Sequence, residues 1–310
     1  MLFQISKVPF GNYTSVSLEL KDVCQATILN VGCTLNRFRW IPKNIELING
    51  YSTPVTLDNE INKNFKGVML APYANRVNHA QYFHNKLHTL NKVWPDEDFA
   101  IHGFVYNKLF EIGESNLTDE YVSQTFIYSY QGDESGYPYP FNLSVTYCLH
   151  IDGRLTCKTA ITNMYNETIP FILGWHPLFF NVDAINRLKL NFDSVYKIEL
   201  DDNLLPIGSS SYNKYKQAKF IEDDFDYCFL LNSNVITITD EYNGIELNII
   251  LENGSPSFKY IQIYTPPNKK SIAIEPMTSW PDAFNNKNDL LIIEPQQTVA
   301  LAYSINCKTL

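Results

Sequence analysis

Apolar residues that alternate with polar ones on both sides of short turn signals constrain the fold most strongly. Residues 142–163 show this pattern around an Asp152-Gly153 pair, which supplies the positive φ that a tight hairpin turn requires. We expect the alternating residues to share one buried face of the hairpin. These residues are Val145, Tyr147, Leu149 and Ile151 in the first strand, and Leu155, Cys157, Thr159 and Ile161 in the return strand.

Two more segments have the same character. Residues 235–254 turn at Asn243-Gly244, and residues 259–276 read as a third hairpin. No segment keeps a helical apolar period for three turns, so Asn59–Phe65 is expected to form one short helix at most. The sequence therefore predicts an all-β fold, a large antiparallel β-sandwich of two packed sheets, in a single domain spanning residues 1–310.

Charge and hydropathy exclude several classes of partner. The 310 residues carry a formal net charge of −9 and only five arginines, at positions 37, 39, 76, 154 and 187, so no basic stripe is available for nucleic acid. The longest apolar runs are much shorter than a membrane span, and the N-terminus lacks the order of a signal peptide. We expect a cytoplasmic protein, monomeric or homodimeric, whose partner is a small molecule.

The segment KKSIAIEPMTSW places a carboxylate at the end of a predicted strand. Strand alternation puts Ile272 and Ile274 on one face and Ala273 with Glu275 on the other, and Pro276 is expected to end the strand. Glu275 is a candidate general base. From position alone an exposed glutamate at a strand end is the commoner situation, so this assignment needs further support.

Two histidines lie in apolar surroundings. His176 stands between Trp175 and Pro177 in GWHPLFF, and His102 precedes Gly103 in AIHGF. Each is a candidate acid or base, and a structural core histidine is an equally good interpretation of either.

No sequence motif indicates a cofactor. The chain lacks nucleotide-binding, dinucleotide-binding and nucleophile-elbow motifs. His79, His84 and His88 lack the glutamate of a helical zinc motif, so they are interpreted as surface residues and no metal is expected. We predict a protein without a cofactor.

Six motifs, taken together and in order, resemble the aldose 1-epimerase (galactose mutarotase-like) family over about residues 70 to 285. They are APYANRVNHAQY, AIHGF, GWHPLFF, DFDYCFLL, YIQIYTPP and IAIEPMTSWPDAFN. The resemblance implies a β-supersandwich whose concave face holds a sugar, without a metal or organic cofactor.

The resemblance also implies roles for individual residues. Glu275 is similar to the family's general base, His176 to its general acid, and His102 to a second histidine at the ring oxygen. The residues implied to bind the sugar are Asn75, Arg76, Asp226 and Gln262, and we add Trp280 as an aromatic neighbour. Phe104 and Tyr227 depart from a glycine and a histidine common in members close to galactose mutarotase, which leaves the sugar preference open.

The implied activity is interconversion of the α and β anomers of a free aldohexose by general acid and base catalysis. Ring opening needs a base at the anomeric hydroxyl and an acid at the ring oxygen, so we expect an ionised Glu275, a protonated His176 and a bell-shaped pH profile. A hexose-6-phosphate mutarotase is less favoured because Arg76 is the only arginine within the site motifs. Two more functions fit the same motifs: a non-catalytic carbohydrate-binding protein, and a glycoside hydrolase or lyase that uses Asp226 as a second carboxylate.

Overall fold

The computed structural model describes residues 2–310, and antiparallel sheets dominate it. The strands of the first half of the chain are β1 (Phe3–Phe10), β2 (Tyr13–Leu20), β3 (Cys24–Leu29), β4 (Thr34–Trp40), β5 (Ile45–Glu46), β6 (Met69–Leu70), β7 (Arg76–Asn78), β8 (Gln81–His84), β9 (Lys86–Thr89), β10 (Phe99–Ile101), β11 (Glu111–Leu117), β12 (Tyr121–Tyr130), β13 (Phe141–His150) and β14 (Leu155–Asn163). Those of the second half are β15 (Ile169–Phe171), β16 (Gly174–Trp175), β17 (Leu178–Phe179), β18 (Lys189–Asn191), β19 (Ser194–Leu200), β20 (Pro206–Ser210), β21 (Lys219–Phe220), β22 (Asp226–Leu231), β23 (Val235–Asp240), β24 (Ile245–Leu251), β25 (Tyr260–Tyr264), β26 (Ile272–Met277), β27 (Leu291–Ile293) and β28 (Thr298–Thr309). The helices are α1 (Pro54–Asn64), α2 (Ala283–Asn286) and three 3₁₀ turns at Ile41–Lys43, Val105–Asn107 and Ile185–Arg187.

Three large sheets hold most of these strands. A five-stranded sheet runs β1-β2-β3-β4-β5, a nine-stranded sheet runs β11-β12-β13-β14-β28-β24-β23-β18-β21, and an eight-stranded sheet runs β20-β19-β22-β25-β26-β16-β6 with β17 paired to β26. Every pairing between named strands is antiparallel. The prediction of an all-β fold built from large antiparallel sheets is confirmed.

The predicted hairpins are confirmed as β13-β14, β23-β24 and β25-β26. Their alternating residues are buried, with one exception. Ile151 lies beyond the end of β13 in the turn and is 54% exposed, so its predicted place on the buried face is wrong. The strand stops one residue earlier because the Asp152-Gly153 turn already includes Ile151.

Helix α1 differs from the expected short helix at 59–65. It begins at Pro54, where Thr53 and Thr56 form a reciprocal capping box, and it ends before Phe65. Only Leu57 and Ile61 are buried, which is why the apolar period was too weak to predict the first turn. Within residues 2–310, neither helix has the length and apolar character needed to cross a membrane.

Strands β25 and β26 position the site because they lie near the middle of the eight-stranded sheet. Their register sets Gln262 directly opposite Glu275, and Asp226 begins the neighbouring strand β22 opposite Tyr264. Pro276 does not end β26, as the sequence predicted, because the strand continues to Met277. Glu275 is therefore an interior strand residue and is buried rather than exposed.

Candidate active site

A cavity of about 660 Å³ opens over these central strands. Seven of the eight residues predicted to form the site line it: Asn75, Arg76, His102, His176, Asp226, Gln262 and Glu275. They come from the adjacent strands β22, β25 and β26, from the start of β7 and from three connecting segments. The fold thus brings together residues up to 200 positions apart, from Asn75 to Glu275. A cavity of this size matches the range of small-molecule sites.

Trp280 is the predicted binding residue that does not line the cavity. Its indole N–H donates a 2.9 Å hydrogen bond to the Tyr260 hydroxyl, and its ring packs against Tyr196. Trp280 therefore packs against neighbouring aromatic residues instead of lining the cavity.

Glu275 and His176 form the centre of the site. His176 Nε2 lies 3.4 Å from a carboxylate oxygen of Glu275, and both residues are almost completely buried. The other oxygen of Glu275 and the Nδ1 atom of His176 have no hydrogen-bond partner among residues 2–310. Buried polar atoms normally have partners, so these atoms are available to a ligand.

Burial sets the protonation of this pair. It lowers the pKa of His176 to about 4 and raises the pKa of Glu275 well above its usual value. The pair by itself therefore favours a neutral imidazole beside a protonated carboxyl, which differs from the ionised Glu275 and protonated His176 that we expected. Both arrangements contain the same number of protons. Moving one proton from the carboxyl oxygen of Glu275 to Nε2 of His176 converts the first arrangement into the second.

His102 is held in one tautomer. Its Nδ1 accepts a 3.2 Å hydrogen bond from the backbone N–H of Asn75, which leaves the proton of the neutral ring on Nε2. Burial, with the nearby His176 and Arg76, holds the pKa of His102 well below its usual value. The ring lies edge-on to His176, with centroids 5.6 Å apart. His102 is thus a neutral hydrogen-bond donor beside the pair.

A chain of hydrogen bonds fixes the polar groups around the pair. The Asn75 side-chain amide donates to Gln262 Oε1 over 3.2 Å, and Gln262 Nε2 donates to Asp226 over 2.7 Å. The carboxylate at the end can only accept, so it sets the orientation of both amides. Arg76 completes the set, with its guanidinium stacked 4.9 Å from the Phe99 ring and its Nε buried without a partner among residues 2–310.

The sequence did not reveal Phe65, although it touches both histidines. It occupies the left-handed region (φ 48°) just after α1, and its ring lies 4.7 Å from His102 and 6.4 Å from His176. Trp94 lies 6.0 Å beyond it, at the outer part of the cavity. The only local signal was an aromatic residue at the end of a weakly predicted helix.

Helix α1 also brings charged residues that the motifs did not include. Glu60, Lys63 and Lys66 line the outer part of the cavity, and the Lys66 ammonium lies 3.6 Å from Glu60. More cations therefore lie near the site than Arg76, the only arginine within the motifs, indicated.

His102, His176 and Glu275 also have the composition of a metal site, with ligand atoms within 4.8 Å of one another. The hydrogen bond at Nδ1 of His102 has the wrong direction for a metal ligand. A metal-ligating histidine usually donates its other N–H to an acceptor, whereas Nδ1 of His102 accepts. Its Nε2 then carries a proton instead of a free lone pair, so the arrangement suits proton transfer better than metal binding.

The other histidine group has separate partners. His79 pairs with Asp98 over 2.6 Å, and His84 Nε2 contacts the Thr168 carbonyl over 3.0 Å. His88 is buried and lies 2.7 Å from the Tyr139 hydroxyl, so its interpretation as a surface residue is wrong.

The two departures from the family pattern do not reach the cavity. Phe104 lines a separate, smaller cavity, and the ring of Tyr227 lies beneath the Lys197 ammonium at 4.5 Å. Neither residue is among those lining the main cavity, so the doubt about sugar preference does not follow from them.

Known proteins share sequence similarity with most of this chain. A family model described as aldose 1-epimerase matches residues 14–306. The chain is 25% identical to an aldose 1-epimerase of Streptococcus thermophilus over 264 residues, covering 81% of this chain and 70% of the relative. It is 24% identical over 250 residues to the uncharacterized protein YihR of Escherichia coli K12, covering 77% and 78%.

Solved structures share the fold. A galactose mutarotase-like protein from Clostridium acetobutylicum superposes with a TM-score of 0.88 at 14% identity, covering 99% of each chain. Galactose 1-epimerase from Lactobacillus acidophilus gives a TM-score of 0.83 at 18% identity, covering 99% of this chain and 98% of the other. The predicted galactose mutarotase-like sandwich is thereby confirmed.

Proposed function

The chain belongs to the aldose 1-epimerase family, and we propose that it is a mutarotase that interconverts the α and β anomers of a free aldohexose such as glucose or galactose. The observation that supports this proposal most directly is the 3.4 Å approach of His176 to Glu275 within a buried, polar cavity. The anomeric oxygen and the ring oxygen of a pyranose are bonded to the same carbon. A base and an acid that serve them must therefore lie side by side.

In the proposed reaction, Glu275 removes the proton of the anomeric hydroxyl while His176 donates its proton to the ring oxygen. The bond from C1 to the ring oxygen breaks and a C1 carbonyl forms. After rotation about C1–C2, the reverse transfers close the ring on the other face. Each well-placed acid or base contributes roughly 10²–10⁴-fold in rate.

The surrounding residues support these steps. The Nε2–H of His102 is a neutral donor suited to the ring oxygen, where it stabilises the developing charge without competing for the proton. Burial and the nearby Asp226 carboxylate raise the pKa of Glu275, and the Arg76 guanidinium opposes both by favouring the ionised carboxylate. Asn75, Gln262 and Asp226 present fixed donors and acceptors suited to sugar hydroxyls.

The test is polarimetry of freshly dissolved α-D-glucose and α-D-galactose. Wild-type protein should accelerate the change in rotation, and Glu275→Gln and His176→Asn should each lose at least 100-fold. His79→Asn is a matched control, since His79 is exposed, lies outside the cavity and has a positive φ that asparagine tolerates. Sugar binding without acceleration would replace the proposal with a non-catalytic carbohydrate-binding role.

A hexose phosphate is a second candidate substrate because Lys63 and Lys66 line the outer cavity. Glu60 and Asp226 lie in the same cavity and oppose an anionic group, which is why the neutral sugar is preferred. Exchange NMR with glucose and glucose 6-phosphate separates the two. A kcat/KM at least tenfold higher for the phosphate, lost in Lys66→Met, would favour the second candidate.

A further inference from the structure

A second cavity of about 230 Å³ lies on the other side of the bend that carries His102. His102 and Gly103 both have positive φ, at 62° and 69°, and the N–H of Phe104 returns to the Ala71 carbonyl over 3.0 Å. This tight bend separates the two side chains. His102 lines the main cavity and Phe104 lines the second one.

The bend at Gly103 packs tightly against the backbone of Ala71. A Cβ atom added at Gly103 would lie 2.0 Å from the Ala71 carbonyl oxygen, so only glycine fits there. The wall between the cavities is further filled by Phe65, whose ring contacts Tyr106 at 5.0 Å on one side and His102 at 4.7 Å on the other. The second cavity is therefore a fixed neighbour of the catalytic histidine.

An unpartnered hydroxyl faces this second cavity. Tyr73 is 2% exposed and lines the cavity, and its hydroxyl forms no hydrogen bond with any residue that the structure describes. Tyr106 lines the same cavity. The Tyr73 hydroxyl is not enclosed by protein, so its hydrogen bond comes from a ligand or from solvent that enters the cavity.

The remaining lining combines fixed polar groups with aromatic surface. The Glu134 carboxylate accepts hydrogen bonds from Asn91 (2.7 Å) and Lys108 (3.3 Å), which hold it in place and balance its charge. Phe104 and Tyr137 supply apolar rings. Lys108 and Lys92 disfavour a cation, and Glu134 disfavours an anion. Hydroxyl, amide and carboxylate groups beside aromatic rings match the mixed surface of a neutral polyol.

We propose that this second cavity binds one neutral monosaccharide, at a site distinct from the catalytic cavity. Its volume corresponds to roughly eight water molecules at about 30 Å³ each, which is enough for one sugar ring and too little for two. The sugar hydroxyls would pair with Tyr73, Glu134 and Asn91, and its C–H face would rest on Phe104. The proposal concerns binding alone, so it stands or falls separately from the catalytic activity.

Equilibrium dialysis with radiolabelled D-galactose tests the proposal. Wild-type protein should bind two equivalents at saturation. Tyr73→Phe, which keeps the ring and removes only the hydroxyl, should weaken one of the two at least tenfold, and Glu134→Gln should do the same. Both variants should keep the other equivalent and a mutarotation rate within about twofold of wild type.

A control variant in the main cavity should have the opposite effect on the two equivalents. Asp226→Ala, in the main cavity, should weaken the other equivalent and keep the one that depends on Tyr73. A single equivalent in wild type that is unchanged in Tyr73→Phe would overturn the proposal, and so would two equivalents that are unchanged in both Tyr73→Phe and Glu134→Gln. A single equivalent that is lost in Tyr73→Phe would support the second site and contradict galactose binding in the main cavity. Loss of both equivalents in the folded Tyr73→Phe protein would also overturn it, since the two sites would not be distinct.

Discussion

The backbone N–H of Asn75 donates a hydrogen bond to Nδ1 of His102, and this contact decides which nitrogen of the neutral ring carries the proton. Asn75 has a positive φ of 61°. The backbone turns at this residue, and the turn directs its N–H toward His102. A ring fixed in this way donates from Nε2 without first gaining a proton. That property makes the tautomer of His102 directly measurable.

We expect long-range ¹H–¹⁵N NMR to find His102 as the Nε2–H tautomer, with Nδ1 unprotonated. Because burial holds its pKa well below the ordinary value of 6.5, the signals should not titrate between pH 8 and 5.5. An Nδ1–H tautomer, or titration near pH 6.5, would contradict the assigned hydrogen bond.

The pH profile of kcat/KM should be bell-shaped with a broad top. The proposed active pair holds one proton, so activity falls on the acid side when His176 and Glu275 both hold protons, near the His176 pKa of about 4. It falls on the alkaline side when the pair loses its proton, above the raised pKa of Glu275. Stopped-flow polarimetry from pH 3.5 to 10 gives both limbs, and an acid limb centred near pH 6.5 would show that His176 is not desolvated.

The burial of His176 should also make the free energy of unfolding depend on pH. A folded pKa of about 4 for His176, against 6.5 when unfolded, means that this group binds its proton more tightly in the unfolded chain, so its contribution to stability falls as the pH drops through this window. The raised pKa of Glu275 acts in the opposite direction, because that group binds its proton more tightly in the folded protein. From pH 7 to 4.5 His176 alone costs about 2 kcal/mol. Urea unfolding at both pH values should show a smaller acid loss in His176→Asn than in wild type. Equal losses in the two proteins would refute this origin.

Phe65→Leu should lower kcat/KM about tenfold while the protein remains folded, at a cost of roughly 1–2 kcal/mol in stability. Removing the ring admits water beside His102 and His176, so the acid limb of the pH profile should move upward toward 6.5. Phe83→Leu, at an exposed phenylalanine, is the matched control. A tenfold loss without movement of the acid limb would indicate a packing role only.

Trp280→Phe should leave KM for galactose within about twofold of wild type, because Trp280 does not line the cavity. Asp226→Ala should raise KM at least tenfold, since it removes the acceptor that orients Gln262. A large KM effect at Trp280, measured by the same polarimetric assay, would restore the sugar-binding role that its motif suggested.

The part of the site that lies on strands was predictable, and the part on helix α1 was not. Alternation alone placed Glu275 and Ala273 on one face, and the register then set Gln262 beside Glu275. Phe65 and Lys66 reach the cavity only because a capped helix of low amphipathicity ends there, and neither residue carries a local signal of function. Burial was also not predictable, which is why the charge state expected for the pair differs from that favoured in the folded protein.

The register of Gln262 against Glu275 has a consequence for how such a protein can change. Glu275 is anchored by a ladder of backbone bonds in the middle of a sheet, whereas the residues toward the cavity mouth belong to α1 and to loops outside that ladder. Insertions or substitutions in those outer segments can accumulate without shifting the strand that carries Glu275. The centre of the cavity and its mouth are therefore free to evolve at different rates.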